Sequence, residues 1–173
     1  MNEIQKIVPS LWFDMDCEEA VNYYIDTFNS SPHKAGNSRI ISLARYEDSM
    51  QTPGIEQMVG KVLTAIFELN GQKFMALDGG PIFKFNESIS FYVECEDQAE
   101  VDRLWSALTA DGGEESQCGW LKDRFGLSWQ VIPERMGELL SDPDPDRAGR
   151  AMQAMLKMQK IDIQALEDAA NGA

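Results

Sequence analysis

A strand, a helix and then three strands occur twice along this chain at an offset of 80 residues, and this repetition restricts the possible folds more than any other feature. The first copy opens on Ile7-Val8-Pro9-Ser10-Leu11-Trp12-Phe13, a short β-branched and aromatic run that stops at Asp14. Ala20, Val21, Tyr24, Ile25 and Phe28 then share one face of a helical period, and Asp16, Glu18 and Glu19 stand at its start, where the helix dipole favours acids. Strand patterns follow at 39–46, 62–69 and 73–77, the last two joined by the turn pair Asn70-Gly71. The second copy starts on Ile89-Ser90-Phe91-Tyr92-Val93, and Val101, Leu104, Trp105 and Leu108 form its helical face, with Gly112-Gly113 beyond as a stop signal. Shifted by 80, Leu11-Trp12-Phe13-Asp14 falls on Phe91-Tyr92-Val93-Glu94, Val21 on Val101, Tyr24 on Leu104 and Phe28 on Leu108.

The segment Gly119 to Pro133 is the most distinctive stretch and reads as a hairpin turning around Asp123 to Gly126, with a short strand expected at 115–118 before it. In its second strand, alternation puts Leu127, Trp129 and Val131 on one face and Ser128, Gln130 and Ile132 on the other. A helical tail follows. Asp144 before Pro145, with Asp146 in the first turn, marks a helix start, and Met152, Met155 and Leu156 continue one apolar side. Asp162 caps a second short helix carrying Ile163 and Leu166. The expected class is therefore α+β: two tandem βαβββ modules with a C-terminal helical tail.

With 43% apolar residues in 173, the chain has the material for an ordinary core. Against 15 basic side chains it carries 29 acidic ones, a formal charge of −14, which argues against nucleic acid and anionic membranes as partners. No apolar run approaches the roughly 20 residues that span a bilayer, and the first residues lack a secretory pattern. Three cysteines, Cys17, Cys95 and Cys118, show no C-x-x-C spacing, so a reducing, cytoplasmic setting is expected. His33 is the only histidine, which removes a His-His-carboxylate metal set and reads as a loop side chain. The glycine pairs Gly79-Gly80 and Gly112-Gly113 match no phosphate-binding loop and read as turns.

The stretches Leu11-Trp12-Phe13-Asp14, Glu68-Leu69-Asn70-Gly71-Gln72-Lys73-Phe74, Gly79-Gly80-Pro81, Phe83-Lys84-Phe85-Asn86-Glu87, Ile89-Ser90-Phe91 and the Trp120–Pro133 hairpin, with the Asp142-Pro143-Asp144-Pro145 tail, carry a resemblance. Together they resemble the PhnB-like branch of the vicinal-oxygen-chelate superfamily of glyoxalases, bleomycin-resistance proteins and dioxygenases, a branch commonly labelled a 3-demethylubiquinone-9 3-methyltransferase domain. The resemblance implies a single glyoxalase-like domain over residues 1–141, with half-modules 1–86 and 87–141 curled around a pocket, a tail over 142–173, and a homodimer. The superfamily's metal ligands, carried over by position, fall near Pro9, Ala76 or Asp78, Ser88 or Ser90, and Gln130. That set holds one carboxylate, one amide and no imidazole, so neither metal nor other cofactor is expected. The expected pocket comprises Trp12, Phe13, Asp78, Ser90, Trp129 and Gln130, with Asp78 the candidate acid or base. The reading is a small-molecule-binding protein of unspecified reaction. Alternatives are the methyl transfer of the family label, metal-dependent glyoxalase or dioxygenase chemistry, and a non-catalytic interaction protein using its tail.

Overall fold

A computed structural model describes residues 5–31, 36–50 and 55–172 and divides the chain into two compact units, Met1–Lys84 and Phe85–Ala173. His33 lies outside the described residues.

In the first unit, strand β1 (Ser10–Phe13) leads into helix α1 (Cys17–Asn29), and β2 (Arg39–Arg45), β3 (Val62–Leu69) and β4 (Gln72–Asp78) complete a four-stranded sheet ordered β1-β4-β3-β2. β1 runs parallel to β4, while β3 is antiparallel to β2 and β4. The β3–β4 hairpin closes with Leu69 opposite Gln72, and both turn residues, Asn70 (φ 46°) and Gly71 (φ 84°), take the positive φ that a two-residue turn of this hand requires. Alternation sorts the sheet: Leu11, Phe13, Ala65, Phe67, Phe74 and Ala76 are buried on the helix side, against Cys17, Ala20, Val21, Tyr24 and Phe28 of α1. Trp12, Thr64, Ile66, Met75 and Leu77 occupy the opposite face and are half-buried.

The second unit repeats the order with β5 (Ser90–Cys95), α2 (Gln98–Leu108), β6 (Glu114–Glu115), β7 (Trp120–Lys122) and β8 (Ser128–Pro133), arranged β5-β8-β7-β6 with β5 parallel to β8. Asp97 caps α2 by accepting from the Glu100 amide, and the Glu100 carboxylate reaches back to the Glu96 amide. This helix ends at Leu108, before the glycine pair, because Thr109 and the 3-10 turn Ala110–Gly112 intervene. β7 and β6 are shorter than the sequence pattern suggests: Asp123 already starts the turn into β8, and Cys118 and Gly119 have positive φ. Phe91, Val93, Leu121, Trp129 and Val131 form the helix-side face of this sheet, where Val101, Leu104, Trp105 and Leu108 are buried.

Three helices follow β8: α3 (Glu134–Leu140), α4 (Pro145–Met155) and α5 (Ile163–Asn171). The Asp144 and Asp162 side chains cap α4 and α5 as their positions suggest, accepting from the amides of Asp146 and Ala165. α3 starts earlier than the expected tail, directly after Pro133, and Gly137 in its interior weakens its helical pattern in the sequence. Leu139, Ala151, Met155, Ile161, Leu166 and Ala170 build one core with Ile132 of β8. Two backbone bonds, Cys118 N–H to Met158 O (2.8 Å) and Gly119 N–H to Gln159 O (2.7 Å), fasten the tail, and Gln98 of α2 both donates to Ile161 O and accepts from Ile163 N–H. The helical tail is thus an integral layer of the second unit.

Candidate functional site

In both sheets the face turned away from the helix keeps half-exposed side chains, and register decides which of them meet. In the second unit, antiparallel and parallel pairing lines up Glu114, Lys122, Ser128 and Ser90 across all four strands in one row. The neighbouring row on the same face is Trp120, Gln130 and Tyr92. Gln130 Nε2 donates to Ser90 Oγ at 2.8 Å, tying the rows together. With that bond made, the Ser90 hydroxyl hydrogen and Gln130 Oε1 remain to meet a guest. Tyr92 is 55% exposed beside them, and burial followed by the nearby Glu94 pushes its phenol above the ordinary range, keeping it neutral. The next residue of this face, Ile132, lies under the tail helices, so the tail bounds the polar rows at one end.

The equivalent rows of the first unit are chemically different. Trp12 pairs with Leu77, and Leu77 with Thr64; Ser10 pairs with Met75, and Met75 with Ile66. This surface is mainly apolar, with the hydroxyls of Ser10 and Thr64 among Trp12, Leu77, Met75 and Ile66. Trp12 is held at its edge: its Nε1–H donates to Gly80 O (2.7 Å), Phe83 meets its ring edge-on at 4.8 Å, and a Cβ on Gly79 would stand 2.2 Å from the indole. Gly79 therefore reads as the residue that admits the tryptophan.

Of the six expected pocket residues, the structure puts Trp12 on the open face of the first sheet and Ser90 with Gln130 on that of the second. Phe13, Asp78 and Trp129 lie on the helix-side faces, each about 2% exposed. Asp78 is a capping group. Its Oδ1 accepts from Met15 N–H at 2.6 Å and its Oδ2 from Cys17 N–H at 3.4 Å, bonds that Asp16, at the N-cap position, does not make with its own side chain. Met15 has φ 71°, a left-handed conformation unusual for methionine, and Asp78 clamps that turn to the end of β4. Burial raises the Asp78 carboxyl above its ordinary value, opposed by the two backbone donors. Trp129 is likewise structural: its Nε1–H donates to Asp123 Oδ2 (2.8 Å), while Asp123 Oδ1 accepts from the amides of Phe125 and Leu127.

The carried-over metal positions do not make a donor set. Asp78 is engaged by two amides, Gln130 by Ser90, and Pro9 offers no side-chain donor. Among the described residues no three His, Cys, Asp or Glu side chains converge on a common point. The thiols of Cys17 and Cys95 are pushed up to about 12 by burial, so neither is a thiolate nucleophile at neutral pH. Tyr92, Trp120, Lys122, Ser128 and Glu114 complete the row residues of the second sheet's open face; alternation outward from Gln130 gives Ser128 and from Ser90 gives Tyr92, but the others require the cross-strand register.

The family model described as 3-demethylubiquinone-9 3-methyltransferase matches residues 5–132. A PhnB protein from Bacillus cereus, bearing the same methyltransferase description, is 35% identical, with 75% of this chain and 99% of that one covered and a TM-score of 0.62. Protein PA1353 from Pseudomonas aeruginosa is 24% identical over 76% of this chain and 98% of its own, with a TM-score of 0.60. No curated protein matches the chain.

Proposed function

From the premise that this chain belongs to the 3-demethylubiquinone-9 3-methyltransferase family, a PhnB-like branch of the vicinal-oxygen-chelate superfamily, we propose that it binds a small molecule on the open face of its second sheet. The observation that carries this reading is the Gln130–Ser90 hydrogen bond, set on a half-exposed sheet face between Trp120 and Tyr92. The hydroxyl donates, the amide oxygen accepts, and the two aromatic side chains supply contact area, which together describe a recognition surface with fixed polarity. At the Gln130–Ser90 pair the chemistry favours binding over acid–base catalysis, because an amide and a hydroxyl stand there and the carboxylate of Asp78 is committed to capping α1. Methyl transfer, named in the family description, draws no support from the sheet order: each sheet has one parallel pair, whereas the common methyl-donor site lies in a doubly wound parallel sheet.

A panel of small aromatic amides and alcohols, titrated by protein-detected NMR, tests the reading. Shifts should concentrate at Ser90, Tyr92, Trp120 and Gln130, and Gln130→Leu should weaken the best member by about tenfold, the worth of one hydrogen bond to a partly buried group. Undiminished binding to Gln130→Leu, or shifts confined to other surfaces, would overturn it.

A further inference from the structure

A cavity of about 170 Å³ opens beside the same face, lined among others by Glu87, Glu114, Trp120, Lys122 and Ser128. Two observations about it are independent. Ser128 is 1% exposed, and its Oγ has no hydrogen-bond partner among the described residues although it borders the cavity. A buried hydroxyl without a partner is unfavourable, so a guest with a hydrogen to donate gains directly by meeting it. The second observation is charge. Lys122 is opposite Glu114 in the β6–β7 pair and opposite Ser128 in the β7–β8 pair, and its Nζ is ion-paired with Glu87. Glu87, followed by Glu114, holds the Lys122 ammonium above the ordinary lysine range. Two carboxylates against one ammonium leave this end of the row net negative. Glu115, the next residue, also borders the cavity; its Oε1 accepts from Trp105 Nε1–H (2.7 Å), and its charge adds to the negative balance.

We propose that this cavity is the subsite for a primary ammonium group of the bound molecule, held by Glu114 and Ser128 Oγ against the Trp120 side chain. The proposal rests on the reading that the open face of the second sheet is the binding surface, and it assigns the chemical class of what binds there. A primary ammonium has three hydrogens and no acceptor, which matches a carboxylate and a partnerless hydroxyl oxygen, and the face of an indole attracts a cation. The volume equals that of about five to six waters at about 30 Å³ each, which admits the amine head together with part of the group that carries it. The aromatic remainder of such a guest would extend along the row toward Gln130 and Tyr92, which follow Trp120 in register.

The probes are benzylammonium, benzyl alcohol and benzoate, three guests of one shape that differ in charge, titrated against the full chain by NMR at constant ionic strength. Benzylammonium should bind at least about tenfold more tightly than the other two and shift the Ser128 amide and the Trp120 indole; Glu114→Gln and Ser128→Ala should each erase most of that preference. Ser128→Ala removes an atom without a partner and should keep the fold, which unchanged far-ultraviolet circular dichroism would verify. Preferred benzoate binding would make Lys122 the recognising group and overturn the proposal. Equal binding of all three guests at Gln130 would also overturn it while leaving the binding surface standing; absence of binding by all three at 10 mM, roughly the weakest affinity such contacts support, would remove both.

Discussion

Asp78 offers the sharpest test, because its carboxylate was the natural candidate for chemistry and the geometry makes it a clamp. Asp78→Ala removes the acceptor of the 2.6 Å Met15 bond and of the longer 3.4 Å Cys17 bond, both amides at the entrance of α1. A hydrogen bond to a charged, buried acceptor contributes about 1.5–3 kcal/mol, and the long one adds about 0.5–1 kcal/mol, so a loss of about 2–4 kcal/mol is expected. In a chain of this size that lowers the melting temperature by about 5–12 °C. Asp78→Asn keeps one carbonyl oxygen toward Met15 and no longer buries a charge, so it should cost about 1 kcal/mol or less. Its pH dependence is equally specific. Burial raises the Asp78 pKa above its ordinary 3.8, so the stability linked to its protonation is fully present below pH 3.8 and is lost as pH rises through the elevated value. The advantage of wild type over Asp78→Asn in urea unfolding should therefore shrink across that window and stay level at higher pH. The reasoning fails if Asp78→Ala unfolds at the wild-type urea concentration, or if Asp78→Asn loses small-molecule binding while its stability is unchanged.

Two further perturbations probe the second unit. Asp123→Ala strands the amides of Phe125 and Leu127 and the indole N–H of buried Trp129, which should cost about 3–5 kcal/mol in urea unfolding and alter near-ultraviolet circular dichroism; a loss below about 1 kcal/mol would show that the β7–β8 turn does not depend on that carboxylate. Deleting residues after Ser141 uncovers Ile132 and Leu139 and removes the Ile161 and Ile163 backbone partners of Gln98, for a loss of at least about 3–6 kcal/mol at about 1.5–3 kcal/mol per buried aliphatic side chain, and unchanged melting of the truncated chain would mean that the tail contributes nothing to the core.

The features legible in the sequence were those carried by neighbouring residues. Asn70-Gly71 announces its turn, Asp144-Pro145 and Asp162 announce their helices, and the alternation in Ser128 to Ile132 separates the two faces of β8. The capping role of Asp78 is not legible in the sequence because it is non-local: it caps amides 61 and 63 residues away, and nothing in the sequence around α1 reveals that Asp16 leaves them to another residue. Strand parity compounds this, since a slip of one residue moves a side chain to the other face. Ala76 and Asp78, the alternative positions of β4 carried over from the superfamily's ligand set, share the buried side of that strand, and the open-face residue is Leu77 between them.

The same register shows how the duplicated modules differ in use. Trp12 and Tyr92 are equivalent at the offset of 80 residues, and each pairs with a residue of the last strand in its module: Leu77 for the first, Gln130 for the second, an offset of 53. The offset shrinks because the second module reaches its last strand through much shorter strands and connections, so no single shift of the sequence aligns both ends of the modules. Once aligned by pairing, each hydrogen-bonding residue of the second sheet has a first-sheet counterpart: Gln130 answers to Leu77, Ser128 to Met75 and Lys122 to Ile66. Ser90 and Ser10 alone agree in type among the central positions, and only Ser90 has an amide partner in the strand beside it. One module thus presents mainly apolar contact area and the other directional polar groups, so if the second sheet binds a small molecule as proposed, substitutions on it should change which molecule is chosen, while those at Trp12, Leu77 or Met75 should change mainly the stability of the first unit.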